Sequence, residues 1–379
     1  MKPDLLFLVV LKMVRWTLKY GVCNQSPIAF ATYGMMKSSV FGDLKGGYDL
    51  GKVSLSLLDQ LNDRVVVEAR TKFLVHYGLS HWILPLPNTS EPLLEAYRIG
   101  LETGDIETAV FSIHWYCLAA LNSGKPLSVV ERDLHKYALQ MKDQKQMYIY
   151  QAQCVSRQYT LNLLGKSDNP LLLTGEAWEE RGGDHHMNMV EKTKRSRLAY
   201  CFGDFQDAWR FAEETPDLKK FSFGSSVIWR QSFSVGLVAF ALAKKTGKRI
   251  WKKRAASFHK QIKKWYQAGN INCRHMLKIF DAERAVVRGK ASEKVKKKYD
   301  EAIKTAGRSG CRQDSALANE LAGEYYVYFA SAPDTFWAKH YLGCALRLYE
   351  EWEAHAKVDQ MKETYPEYLA RAGNDPTGT

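Results

Sequence analysis

The sequence predicts an all-α chain built as a right-handed α-solenoid of antiparallel helix hairpins, and three observations predict it. First, apolar residues recur at helical spacing: Leu127, Val130, Leu134, Tyr137, Ala138 and Met141 fall on one helix face, as do Tyr341, Leu342, Ala345, Leu348, Tyr349 and Trp352. Second, no stretch alternates apolar and polar residues between turn signals, so strands are not expected. Third, turn residues recur 38 to 44 residues apart, at Gly42, Pro85, Gly124, Gly165, Gly203, Gly247, Gly289 and Pro333. Each interval holds two helical stretches, one hydrophobic and one amphipathic. A period near 40 with one helix pair per unit points to a tetratricopeptide-like repeat, because a lone hairpin cannot bury its apolar faces and must stack.

From the amino terminus, Leu5 to Leu11 is apolar, but Lys12 and Arg15 end the run after seven residues. A membrane span needs about 20, and no small-residue cleavage site follows, so a buried helix is expected. Leu50, Val53, Leu57, Leu58 and Leu61 form a third apolar stripe. Units echo one another: Ala31-Thr-Tyr33-Gly34 resembles Val75-His-Tyr77-Gly78, and Phe41-Gly-Asp43 resembles Phe202-Gly-Asp204. The rhythm breaks between Leu171 and Val190, where Gly182-Gly183 predicts an interrupted helix or a surface loop. One helical repeat domain is expected over 1–366, of eight to nine hairpins, with a frayed tail at 367–379.

Composition narrows the function classes. With 379 residues, 46% hydrophobic and 25% charged, the chain suits a folded protein with a sizeable core. Seven scattered cysteines (Cys23, Cys117, Cys154, Cys201, Cys273, Cys311 and Cys344) lack any C-x-x-C pair, which argues against a closed disulfide framework and structural zinc. Free thiols suit a reducing, cytoplasmic setting.

Asp184-His185-His186 is the most metal-like cluster, but adjacent helical residues point about 100° apart, and good helical pairs sit at i and i+4. Leu164-Gly165-Lys166-Ser167 looks like the end of a P-loop, yet the required upstream glycine is Thr160, and helix termination at Gly165 accounts for it better. Glu179-Glu180, Glu213-Glu214 and Glu350-Glu351 read as solvated charge. His76, His81 and His114 lie among aromatics and read as structural. No catalytic, cofactor or metal site is expected.

The charge localises. The formal net charge is +13, and Leu218 to Phe280 contains 15 Lys or Arg and no Asp or Glu, leaving −2 for the other 316 residues. The densest part, Lys244 to Lys264, reads as a turn followed by a helix with Trp251, Ala255, Phe258, Ile262 and Trp265 on its apolar face. Lys248, Arg249, Lys252, Lys253, Lys260, Lys263 and Lys264 largely occupy the rest. Such a face attracts nucleic acid, an anionic surface or an acidic protein; a solvated Lys-rich outer face is the plainer alternative.

Tyr33-Gly34 with Phe41-Gly-Asp-Leu-Lys-Gly-Gly-Tyr48, Leu94 to Asp105, His114-Trp-Tyr-Cys117 and Leu172-Leu-Thr-Gly-Glu176 run in order along the chain. Tyr200-Cys-Phe-Gly-Asp204, Ile262-Lys-Lys-Trp265, Ala316 to Ala322 and Lys357 to Pro366 continue the series. On these stretches the chain resembles the helical-repeat region of multidomain signalling proteins that combine a serine/threonine kinase, a predicted NTPase, a GAF domain and a sensor histidine kinase. The acid-free segment and the Gly182-Gly183-Asp-His-His stretch depart from that pattern. The resemblance implies a non-catalytic regulatory or protein-interaction element, with protein partners or other domains of a signalling protein. Binding of nucleic acid or an acidic surface is the alternative, and an enzyme with groups drawn from distant repeats is a third.

Overall fold

The structure is a computed structural model that describes residues 3–179, 185–215, 223–330 and 334–370. Among these residues every regular element is helical. The first half holds α1 (Pro3–Tyr20), α2 (Ser26–Ser39), α3 (Leu44–Asp59), α4 (Val65–Gly78), α5 (Ser90–Thr103), α6 (Ile106–Asn122), α7 (Leu127–Asp143) and α8 (Met147–Leu163). The second holds α9 (His185–Cys201), α10 (Phe205–Glu214), α11 (Val227–Thr246), α12 (Arg249–Gln267), α13 (Cys273–Val287), α14 (Ser292–Arg308), α15 (Arg312–Glu324), α16 (Thr335–Trp352), α17 (His355–Thr364) and α18 (Pro366–Leu369). Short 3-10 turns at Ser80–Trp82 and Leu86–Thr89 link α4 to α5, and a π-helical turn at Tyr325–Phe329 extends α15.

The echoed Gly-Asp dipeptides have a local cause. Gly42 (φ +74) and Gly203 (φ +87) take the left-handed conformation that stops a helix, where a side chain would be strained. The following aspartate caps the next helix: Asp43 accepts from the Gly46 N–H at 2.9 Å and Asp204 from the Asp207 N–H at 3.1 Å. Gly104-Asp105 repeats the device, with Asp105 accepting from the Thr108 N–H at 3.2 Å. One dipeptide therefore ends one helix and starts its neighbour, which forces the pair to fold back on itself. Gly165 (φ +73) ends α8 in the left-handed conformation, as helix termination requires.

Each helix packs on the next, and α2 with α4, α4 with α6 and α6 with α8 also touch. Past α8 the alternation changes: α9 touches α11, and α11 touches α13. The change follows from the segment after α8, which is loop throughout its described part, 164–179. This loop is pinned to α8, where Asn162 Nδ2 donates to the carbonyls of Pro170 (3.1 Å) and Leu172 (2.6 Å), and Gln158 Oε1 accepts from the Ala177 N–H at 2.9 Å. Leu173 and Trp178 bury their side chains there. Gly182 and Gly183 lie outside the described residues, as do Asp184, Glu180 and Pro333.

The stripe from Leu127 to Met141 is buried along its length, and that of α16 buries Tyr341, Leu342, Ala345, Tyr349 and Trp352. Two apolar expectations are corrected. In α3 Leu58 is buried and Leu50 and Leu57 pack against Val14, Ala29 and Phe30, but Val53 is 42% exposed, and Leu44, Gly47, Gly51 and Ser54 share the packed face. Small residues win because α2 and α3 approach so closely that a Cβ on Gly47 would stand 2.6 Å from the Gly34 carbonyl oxygen. In α1, Leu5, Leu8 and Leu11 are exposed, and among its described side chains Val10 and Val14 are buried, since this helix rests chiefly on α2, with Phe7 against Phe223, and is not wrapped. No described helix is long and apolar enough to cross a membrane. At the other end, α18 lies within the stretch expected to fray, and Tyr368 and Leu369 pack on the core; residues 371–379 lie outside the described ones.

Distant parts of the chain meet. His81 donates from Nε2 to the Gly224 carbonyl (2.7 Å) and accepts the Trp229 indole N–H at Nδ1 (3.1 Å). Asn272 Nδ2 donates to the carbonyls of His81 and Leu84, and its Oδ1 accepts from the Leu86 N–H. Farther along, Gln313 donates to the Asn122 carbonyl, and α17 touches α8. The later helices thus close over α6 to α9 and frame a cavity that is partly open to solvent.

Candidate functional site

The basic helix is α12, and Lys248, Arg249, Lys252, Lys253, Lys260, Lys263 and Lys264 are all exposed. No described carboxylate lies within ion-pair distance of any of them. The opposite face holds the helix in place. Ala255 and Ile262 are buried, Phe258 and Trp265 pack on the second core cluster, and Trp251 meets Trp209 edge-on at 4.8 Å. Arg254 is neutralised by Glu213 at 3.1 Å and lies over the Trp209 ring. Lys244, which opens the basic run in sequence, turns inward and pairs with Glu283 at 2.8 Å, both side chains sealed from solvent.

This cavity has a volume of about 280 Å³ and is walled by aromatic and charged side chains from α8, α9, α10, α11, α15, α16 and α17. On one side Arg230 grips Asp314 with two guanidinium nitrogens, and His275 Nε2 lies 2.8 Å from Asp314 Oδ2. Burial opposes ionisation of Asp314, but the Arg230 and His275 contacts hold its carboxyl well below the usual range. On another side Lys357 Nζ sits 2.5 Å from Glu320 Oε1 and donates to the Cys201 carbonyl at 2.7 Å, while the Tyr349 hydroxyl donates to Glu320 Oε2 at 2.8 Å. The Tyr365 hydroxyl donates to Glu324 at 3.1 Å. Burial pushes the Glu324 carboxyl up to about 7; Lys244 and Lys357 oppose that rise, and Glu320 and Glu283 add to it. Arg197 completes the wall, its guanidinium donating to Asn122 Oδ1 at 3.3 Å.

His275, Cys311 and Asp314 could each offer a metal ligand atom within 4.8 Å of the others. The donor set does not suit a cation. Both Asp314 oxygens already accept from Arg230, one also faces His275, and a guanidinium beside the site repels added positive charge. The Asp184-His185-His186 cluster lies at the edge of a stretch outside the described residues. His76, His81 and His114 are hydrogen-bonded within the packed helices, to Ser80, Gly224 and Gln153 respectively.

None of the cavity residues stood out as chemistry in the sequence, because each charge finds its partner from a distant helix. A signal was nevertheless present. Tyr200–Asp204, Ala316–Ala322 and Lys357–Pro366 carry the family resemblance, and they supply Cys201, Glu320, Lys357 and Tyr365 to this one place.

No protein-family model matches the chain. Over 164 residues, 43% of its length, it is 26% identical to hybrid signal transduction histidine kinase G of Dictyostelium discoideum. The matched part is 5% of that protein's length, so the chain is similar to a small portion of it.

Proposed function

We propose that this chain is a non-catalytic regulatory and interaction module of signal transduction. The observation that carries the reading is the similarity to the Dictyostelium hybrid histidine kinase. Supporting it, three stretches of the family resemblance converge on one charged cavity, where they form a buried ion-pair network that holds helices from distant parts of the chain. In finer detail the fold reads as an α-solenoid of hairpins, TPR-like with a period near 40 residues. That reading is supported by the packing of successive helices and by contacts of alternate helices in each half. Such stacks present extended surfaces to peptides or helices of partners, and a cytoplasmic setting suits the role.

The test replaces the matching segment of the Dictyostelium kinase with this chain and measures histidine autophosphorylation. Deleting the segment should change the rate, and the replacement should restore it. A rate indifferent to the deletion would sink the reading. Turnover of ATP by the purified chain, lost on substitution of its own cavity residues, would replace it with an enzyme.

A second reading, binding of nucleic acid or another anionic surface through Lys248 and α12, is favoured by seven exposed cations with no carboxylate partner among the described residues. Binding of a fluorescent DNA duplex should fall steeply with added salt and vanish in K252E/K253E/K263E/K264E. Salt-insensitive binding, or none, overturns it.

A further inference from the structure

Beside the main cavity lies a smaller one of about 70 Å³, lined by residues of α6, α8, α9 and the start of α11; Asn122 and Arg197 line both. Its charge is one-sided. Lys194 is only 5% exposed and lies over the Tyr159 ring at 4.7 Å, and among the described residues the one charged group bearing on it is a second cation, Arg197. Among the described residues no carboxylate reaches ion-pair distance of either, whereas the nearby Arg230, Lys357 and Lys244 each have one.

Polar groups around the pair are also unspent. Arg197 Nε, Ser156 Oγ and Thr193 Oγ1 are buried without a hydrogen-bond partner, and all three residues line the small cavity. A buried cation without a counter-charge is costly, and so is each orphaned donor. The buried Lys194 and the half-buried Arg197, with two free hydroxyls and a free guanidinium N–H, make up what a compact doubly charged oxyanion needs: balancing charge and several donors from different helices. Burial, and then Arg197, pull the Lys194 ammonium well below its ordinary range, and an anion would reverse that.

We propose that Lys194 and Arg197, with the hydroxyls of Ser156 and Thr193, bind a phosphoryl dianion, either free phosphate or the phosphate end of a phosphomonoester whose body occupies the larger cavity. A phosphate monoester carries about −1.5 to −2 charges at neutral pH, which matches the two cations. The site rests on the geometry of the cavities and not on the signalling assignment, so failure of phosphate binding leaves the kinase replacement experiment untouched, and the reverse.

The test is calorimetric titration of the full chain with sodium phosphate and with glycerol 2-phosphate at pH 7.5, ionic strength being held constant with sodium chloride. Wild type should bind and take up protons on binding, read from buffers of different ionisation enthalpy. Affinity should fall at least about tenfold in K194M and in R197Q, the loss of one charged hydrogen bond, and should be unchanged in K252E/K253E/K263E/K264E. Should R197Q fold poorly, K194M carries the test, because it replaces a buried amine that no described acid holds in the free protein and should melt no lower than wild type. Tighter binding of the ester places its body in the larger cavity, and equal or weaker binding identifies free phosphate; either ordering supports the site. No binding to wild type, unchanged affinity in K194M, or a loss confined to the α12 variant overturns it.

Discussion

Lys244 Nζ and Glu283 Oε2 lie 2.8 Å apart with both side chains sealed from solvent, and the Tyr299 hydroxyl donates to the other oxygen of Glu283. The acid-free segment is therefore not uniformly solvated. Its first dense lysine is held by a carboxylate that lies just past the segment's end, on α13. Burial opposes the Lys244 charge, and Glu283 overcomes it, so the ammonium is raised above its ordinary range. Removing one partner should destabilise far more than removing both. Lys244→Met or Glu283→Gln alone should cost about 3–5 kcal/mol, while K244M/E283L should recover most of it. Denaturant unfolding of the three variants measures this, and a double variant as weak as the worse single one would refute it.

Glu324 gives the fold a titratable weak point. Two ammonium groups, Lys244 and Lys357, face three carboxylates, Glu283, Glu320 and Glu324, and burial leaves Glu324 protonated up to about pH 7. Its folded pKa lies above the unfolded value, so the folded state holds the extra proton, and stability falls as pH rises from about 4.5 through 7. Glu324→Gln should remove that fall. Thermal melts at pH 5.5 and 8 should show a smaller difference in the variant than in wild type.

His81 has the opposite sign. Burial lowers its pKa to about 4, its bond to Gly224 resisting, so it stays neutral in the fold and charges more readily when unfolded. Stability from this group is complete above about pH 6.5 and is lost as pH falls through 4. The shift corresponds to about 3 kcal/mol. In His81→Gln the acid-side loss should shrink by up to that amount, measured as unfolding free energy at pH 6.5 and 4.5.

The α2–α3 contact tolerates no added atom. A methyl at position 47 would meet Ser38 Oγ at 2.0 Å and the Gly34 carbonyl at 2.6 Å. Gly47→Ala should cost about 1–3 kcal/mol through overpacking, even though alanine favours helices over glycine by up to about 1 kcal/mol. Gly307→Ala, in the open helical position on α14 where a Cβ meets nothing within 4 Å, should stabilise instead. Equal melting shifts for the two would show that the close approach is not what position 47 requires.

The seven exposed cations, Lys248 and six on α12, should be thermodynamically quiet. Lys252→Ala, Lys253→Ala, Lys263→Ala and Lys264→Ala should each move stability by no more than about 0.5 kcal/mol, as exposed side chains without partners do. Chemical denaturation settles the point, and a loss above about 1 kcal/mol would mark a structural partner for that lysine.

Much was determined by sequence alone. Helical spacing named the buried face of α7 residue by residue, and the Gly-Asp dipeptides located turns, because both signals are local: 3.6-residue periodicity and a left-handed stop followed by a side-chain cap. The seven exposed cations, Lys248 and six on α12, were legible for the same reason, since one amphipathic helix fixes its own inside and outside. The stripe of α3 misled at Val53 because part of its interface is glycine and serine, which carry no hydrophobic signal. The exposed leucines of α1 misled because burial depends on what lies opposite. Only the tertiary structure could turn Lys244 inward, set Arg230 on Asp314 and Lys357 on Glu320, and leave Lys194 and Arg197 with no ion-pair partner among the described residues. Those outcomes depend on which distant helices the loop at 164–179 and the closure of α17 on α8 bring together, and charge pairing across space leaves no periodicity in a sequence.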